Sequence, residues 1–385
     1  MGKVQVFQPK YFKDFVCTGT KCVHNCCNHN WQIRVDKNTY DKYIALGDKG
    51  TEMLEHIKII TEDPFLALIT KGKNNRCKYL TDEGLCNLQL TLGYDYLCRT
   101  CRIYPRNITY INGEFETFLE LSCEEAVRVV MFNEDYMDFE EAILEPDGCG
   151  NYIPNRILNA EKYTPARNGV EIFHKLRSAS VAIMQSRQYK IRVRLMILCL
   201  FIQQVSDQIK AGNDANIPLF SEVFVDALRT GVYDSVAEEL PDGIEPDFGL
   251  VINILKDMAT RNDIRFNNIL KHSLDAFTIA SGELPDNFSS KYKEIYSKYF
   301  TDNEFIFENY IVNHILLYGF PFNYRNESDV MSNYADMLAK YNLIEFLLTG
   351  ICKHYGKFEQ WNIIDCVSSF SRCYENTLNG FLMHE

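Results

Sequence analysis

Four cysteines fall within eleven positions near the start of the chain, in Cys17-TGTK-Cys22-VHN-Cys26-Cys27, and a fold for this sequence must accommodate them first. Ten of the fourteen cysteines lie before position 150, the others being Cys77, Cys86, Cys98, Cys101, Cys123 and Cys149. Closely spaced cysteines on short, bent connections are the usual source of converging thiolates, so a metal or iron-sulfur centre is expected in this half. Thiolate sets suit both metals, and the spacing leaves open an iron-sulfur cluster, a zinc-stapled knuckle that only holds the fold, and disulfides or buried thiols. Adjacent residues diverge, so Cys26 and Cys27 imply either two centres or one centre with a supporting thiol. His24 and His29 lie in or beside the first group and are further candidate ligands. Cys98 and Cys101 form a C-x-x-C, but no βαβ pattern of a thioredoxin-like site surrounds it. Cys199, Cys352, Cys366 and Cys373 fall in helical patterns and read as small apolar residues.

Around the cysteines the first half reads as α+β. Trp31, Ile33 and Val35 alternate with Gln32, Arg34 and Asp36, the period of a half-buried strand. Residues 38–60 carry apolar positions at three- and four-residue spacing, broken by a turn at Gly47 to Gly50, and predict two short helices. In RCKYLTDEGLC the Asp82-Glu83-Gly84 turn lets Cys77 and Cys86 face one another across a knuckle. Asn112-Gly113, between runs rich in β-branched and aromatic residues, predicts a β-hairpin. The Pro- and Gly-rich stretch from Glu145 to Pro165 marks a boundary, giving a cysteine-rich domain over 1–150 and a helical domain over 151–385. Eight helical segments are expected downstream: 169–189, 191–211, 218–240, 248–281, 288–300, 302–318, 328–355 and 358–378. Thr301 and Glu304 fit a capping box.

Composition excludes several classes. With 46% hydrophobic and 24% charged residues the chain is expected to be globular, and its net charge of −12 argues against wholesale nucleic-acid binding. The longest apolar run, Leu195 to Ile202, is too short for a bilayer and reads as a buried helix, so no membrane association is expected. The opening MGKVQVFQPKYFKDF has no apolar leader core, which points to a reducing cytoplasm. No G-x-G-x-x-G follows a strand, and His29 stands where a C-x-x-x-C-x-x-C radical signature needs its third cysteine. Arg99, Arg102 and Arg106 bracket Cys101 in CRTCRIYPR, a patch able to neutralise thiolates or hold a substrate carboxylate, or else a solvated basic turn. Residues 161–194 carry a local Lys/Arg excess that fits a charged helix surface or a docking face for an acidic partner.

The spacing Cys17-x4-Cys22-x3-Cys26-Cys27, followed by CKYLTDEGLCNLQLTLGYDYLCRTCRIYPR, LELSCEEAVR and ENYIVNHILLYGFPF, resembles the flagellin lysine-N-methylase family, whose front part is a YkgJ-type zinc/iron-chelating cysteine domain. The resemblance implies transfer of methyl groups from S-adenosylmethionine to lysines of flagellin, with a 4Fe-4S cluster required. The alternative is a zinc-binding structural or interaction module without activity. Carried onto this chain, the family cysteines are Cys17, Cys22, Cys26, Cys27, Cys77, Cys86, Cys101 and Cys123. Cys98 is additional, and Glu124 replaces a common proline. Lysine must lose its proton before attacking a methyl group, which makes Tyr104, Glu124 and Glu125 candidate acceptors. Arg102 and Arg106 are candidate holders of the donor, Arg106 through the donor's carboxylate.

Overall fold

Gly113 and Asn112 sit at the tip of a hairpin in the middle of a five-stranded sheet. Both have the positive φ, 116° and 43°, that a two-residue hairpin turn requires. The computed structural model describes residues 4–28, 31–62, 65–144, 154, 156–164, 168–260, 263–279, 284–324 and 329–381. His29, Cys149 and most of the expected boundary stretch around 150 lie outside the described residues.

The strands are β1 (Val4–Pro9), β2 (Arg34–Asp36), β3 (Ile57–Glu62), β4 (Phe65–Ile69), β5 (Arg106–Ile111), β6 (Glu114–Leu119), β7 (Phe139–Leu144) and β8 (Arg156–Leu158). Short helices α1 (Lys37–Ala45), α2 (Asp48–Leu54), α3 (Asn87–Leu92), α4 (Arg99–Ile103) and α5 (Glu124–Met131) are interleaved with them. The larger sheet has the order β7-β1-β6-β5-β8, with β1 parallel to β6 and β5 parallel to β8. The smaller one, β2-β4-β3, is antiparallel.

Among the described residues ten helices follow: α6 (Gly169–Met184), α7 (Ile191–Lys210), α8 (Ile217–Arg229), α9 (Asp234–Glu239), α10 (Phe248–Ala259), α11 (Ile264–Ala276), α12 (Phe288–Phe300), α13 (Phe305–Tyr318), α14 (Val330–Tyr355) and α15 (Gln360–Phe381). The chain is thus a strand-containing N-terminal region followed by a largely helical C-terminal region. None of the described helices is long and apolar enough to cross a membrane.

Two cores matter for the site. The small one gathers Ile33, Val35, Tyr43, Met53, Ala67, Ile69, Tyr79, Leu88 and Leu97 around the three-stranded sheet, and takes in Cys77 and Cys98. The large one joins Ile111, Phe118 and Leu119 of the five-stranded sheet to the helices. On the sheet's opposite face Val6 and Ile108 form a small apolar patch of their own. At the centre of the large core lies α13, buried from Ile306 to Tyr318 and packed on α5, α6 and α14. Where α11 crosses α14 the helices meet so closely that a Cβ on Gly350 would stand 2.6 Å from Ser273 Cβ. α15 packs on α5, and this brings the end of the chain to the cysteine-bearing half.

Several sequence expectations change. The Trp31–Asp36 alternation buries Ile33 and Val35, but only Arg34–Asp36 pairs as a strand, and Trp31 packs against the same core and meets Tyr104 edge-on at 4.3 Å. Ile57 to Ile60, expected in a helix, form β3, where β-branched side chains suit pairing with β4. The segment 218–240 divides at Gly231, φ 77°, and 248–281 divides before Asp263, whose side chain caps α11 through Phe266 N at 3.0 Å. The Thr301/Glu304 capping box does not form. Glu304 instead accepts from Ile191 N at 2.9 Å and Tyr296 OH at 3.0 Å, tying three elements together. Of the basic stretch 161–194, Arg177 and Arg194 are buried in ion pairs with Glu116 and Glu308 rather than presented to a partner. The cysteines do not make up a discrete cysteine-rich domain: some are in the small core, and others are spread along one cavity wall.

Candidate functional site

A cavity of about 620 Å³ opens where the small core, the apolar patch of the large sheet and α15 meet. Its size falls within the range of small-molecule sites. Cys17, Cys22, Cys26, Cys27, Cys86, Cys101 and Cys123 border it, as do Trp31, Tyr94 and Tyr104. Among the described lining residues three arginines, Arg102, Arg106 and Arg372, face a single acid, Glu125.

The segment from Cys22 to Cys27 forms one wall and is strapped from three directions. Glu124, buried at the head of α5, accepts from Val23 N at 3.2 Å and His24 N at 3.0 Å, and from Cys22 Sγ at 3.4 Å. An acid in the first turn also suits the helix's positive end. Asn25 donates through Nδ2 to Gly84 O at 2.8 Å and accepts from Cys27 N at 2.7 Å, and Cys27 O receives Cys77 N at 2.9 Å. From the other end of the chain, Arg372 donates through Nη2 to His24 O at 3.0 Å, and Asp365 lies 3.4 Å from His24 Nε2. Arg265 completes the lock, pairing with Asp365 and standing 3.4 Å from Glu124.

The expected metal centre is not built. Among the described residues no group of three or more histidine, cysteine, aspartate or glutamate side chains is placed to hold a metal ion. This overturns both the 4Fe-4S and the zinc expectations, for which Cys17, Cys22, Cys26, Cys27, Cys77, Cys86, Cys101 and Cys123 are the expected ligands. The sulfurs belong to several elements, and of these eight cysteines all but Cys77 border the cavity. Cys17 is exposed, Cys77 is buried in the small core, and Cys22 is engaged by Glu124. Cys101 faces Cys98, with 3.5 Å between sulfurs. All the described cysteines are free thiols.

Their environments differ sharply. Burial, reinforced by Glu124, pushes the Cys22 thiol up to about 12, and burial does the same to Cys123. A hydrogen bond from Cys27, aided by the Arg372 charge, outweighs burial and holds Cys26 below the ordinary thiol value; Cys27 is pushed up in return. A lower thiol pKa means more thiolate at a given pH, so at pH 8 iodoacetamide is expected to modify Cys26 faster than Cys22 or Cys123 by at least about tenfold. Peptide mass spectrometry of quenched time points measures this, and equal rates would refute the inequality.

The other expected site residues are placed as follows. Tyr104 is within 3.1 Å of Ser122 Oγ, and burial raises its phenol well above the ordinary value, so it keeps its proton near neutrality. Glu125 borders the cavity while bound to Arg128 by two hydrogen bonds, of 2.9 and 2.5 Å. Arg106 lies over the Phe15 ring at 4.7 Å, and Arg99 and Arg102 are buried, not a solvated turn. Arg372 and Asp365 were missed. The available signal was an arginine among the apolar positions Cys366, Val367, Phe370 and Cys373 of a helical stretch, where a solvated residue does not belong.

The helical region and this site together describe a protein with a cavity of small-molecule size, to whose wall the C-terminal helix contributes Arg372. Residues 177–380, just over half of the chain, match the model of the FliB lysine N-methylase C-terminal domain. The chain belongs to the FliB lysine N-methylase family. It is 24% identical to the lysine-N-methylase of Salmonella typhimurium across 98% of this chain and 94% of that protein, with the same values for the lysine-N-methylase of Salmonella choleraesuis. It is 30% identical to the flagellar biosynthetic protein FliU of Salmonella muenchen over 37% of this chain and 85% of FliU. No solved structure matches the chain.

Proposed function

We propose that this protein is a protein-lysine N-methyltransferase that takes its methyl group from S-adenosylmethionine and modifies flagellin. The observation that carries the reading is likeness to lysine-N-methylases along nearly the whole chain, cysteine-bearing half and helical half together. The cavity supports it. Its size suits a nucleoside-sized donor, and Trp31, Tyr94 and Tyr104 offer aromatic faces for an adenine ring or a sulfonium.

The donor supplies an activated methyl group, so the task left to the chain is to bring a neutral amine into line with it. The lysine nitrogen forms a bond to the methyl carbon as the carbon–sulfur bond breaks, leaving S-adenosylhomocysteine and a methylated amine. The ammonium proton must leave first, and Glu125 is the carboxylate on the wall to take it. Tyr104, protonated near neutrality, can donate a hydrogen bond but is not the acceptor there. Glu124 serves by holding the Cys22–Asn25 wall in place.

Purified full-length protein mixed with flagellin and methyl-labelled S-adenosylmethionine is expected to give flagellin carrying whole methyl increments on lysine, read by peptide mass spectrometry. Unlabelled flagellin, from a preparation that binds S-adenosylhomocysteine, would overturn the substrate. Failure to bind it would overturn the methyltransferase reading itself.

A further inference from the structure

Arg372 differs from the other deeply buried arginines of the helical core. Arg156, Arg177 and Arg194 each meet a carboxylate, from Glu120, Glu116 and Glu308 respectively. The neighbouring Arg265 has Asp365 and Glu124. Arg372 is only 6% exposed, yet its acceptors are two neutral carbonyl oxygens, Ser122 O at 2.5 Å from Nε and His24 O at 3.0 Å from Nη2. Its remaining nitrogen, Nη1, is buried with no hydrogen-bond partner among the described residues. A guanidinium withdrawn from water without a counter-ion is costly, and a fold retains one where something supplies the missing anion.

The place of the side chain says where that anion comes from, because Arg372 borders the large cavity. Its charge reaches across the wall, acting on the Cys22, Cys26 and Cys123 thiols and the Tyr104 phenol. The two carbonyls it holds belong to the segment before α5 and to the Cys22–Asn25 wall, so the guanidinium plane is fixed by both sides of the site. With Nε and Nη2 held by the two carbonyls, Nη1 is the nitrogen left to donate a charge-assisted hydrogen bond to a carboxylate oxygen. Arg106 is spent differently, flat against the Phe15 ring and donating to Phe15 O at 3.4 Å.

Resting on the methyltransferase reading, we propose that Arg372, contributed by the C-terminal helix, is the positioning residue that binds the α-carboxylate of the methyl donor. The donor's amino-acid end then lies against α15 and the His24 wall, and the helical half takes part in donor binding directly.

The test compares two ligands that differ in that carboxylate. S-adenosylhomocysteine carries it, whereas 5′-methylthioadenosine keeps the nucleoside and the thioether but lacks the amino-acid moiety. Titration calorimetry on the full-length protein is expected to show Arg372→Gln weakening S-adenosylhomocysteine by roughly 10- to 100-fold while 5′-methylthioadenosine changes by less than about threefold. Arg372→Lys, which keeps the charge, is expected to recover part of the loss. Unchanged S-adenosylhomocysteine affinity in Arg372→Gln, or equal weakening of both ligands in both variants, overturns the assignment. Wild-type protein that binds neither ligand removes the methyltransferase reading as well, so the two failures are told apart.

Discussion

Glu308→Ala is expected to be among the most destabilising single changes in the helical region, costing about 3–5 kcal/mol and lowering the thermal midpoint by on the order of 10 °C. Glu308 is fully buried on α13 and receives two buried-side cations from elsewhere in the chain. Arg187 donates to it through Nε at 2.9 Å and Nη2 at 2.8 Å, and Arg194 of α7 through Nη1 at 2.7 Å. Removing the carboxylate leaves Arg194, which is 4% exposed, with the carbonyls of Met184 and Tyr189 and with the Glu304 carboxylate farther off at 3.6 Å. The penalty is that of a buried charge deprived of its nearer counter-ion rather than the worth of the pair. Hence a combined replacement of Glu308 and Arg194 by leucine is expected to be milder than Glu308→Ala alone. Differential scanning calorimetry of the three proteins decides: a single variant within about 1 °C of wild type would mean that these charges do not anchor α13 to α7.

How much of this could be read from the sequence follows from how local each interaction is. The hairpin at Asn112-Gly113 was legible because two residues dictate its turn. Helices such as α7 and α12 were legible because an apolar stripe repeats along their length. Breaks inside long helical patterns were harder, since a Gly231 or an Asp263 interrupts a helix only when neighbouring packing favours the break. Least legible were contacts between distant segments. Nothing near Tyr11 announces that its hydroxyl meets Asn313 at 2.5 Å, nor near Ser122 that Arg372 will cap its carbonyl. The cysteine spacing was the most conspicuous signal, and it was read as convergence on a metal. Spacing fixes how far apart sulfurs can be along the chain, not whether the intervening backbone folds them inward. Here Glu124 accepts from that backbone at Val23 and His24 while Cys27 O accepts from Cys77 N, so two different neighbours hold it.

Glu124→Ala is expected to cut methyl transfer by about a hundredfold or more, because it frees the wall that shapes the cavity rather than because it removes a proton acceptor. The carboxylate accepts from Val23 N and His24 N, and loss of both bonds leaves two backbone donors without their acceptor. Arg265 then keeps Asp365 and Ser368, and its link from α11 to α5 is lost. Glu124→Gln, which offers one oxygen in place of two, is expected to fall between wild type and alanine. Hydrogen exchange separates the two explanations. A freed wall predicts faster exchange at Val23 and His24 amides together with the lower rate, whereas a lost proton acceptor predicts a lower rate with exchange unchanged and a shifted pH–rate profile. The same lock has an acid limit. Burial alone would raise the Asp365 carboxyl, but hydrogen bonds from His24 and Arg265 outweigh it and hold the group below its ordinary value. A depressed carboxyl stabilises the fold above its ordinary pKa, and that contribution is lost as pH falls through the depressed value. The wall is therefore expected to stay ordered at pH 5 and to loosen only below about pH 4. Faster exchange at Val23 already at pH 5 would show that Asp365 does not hold it.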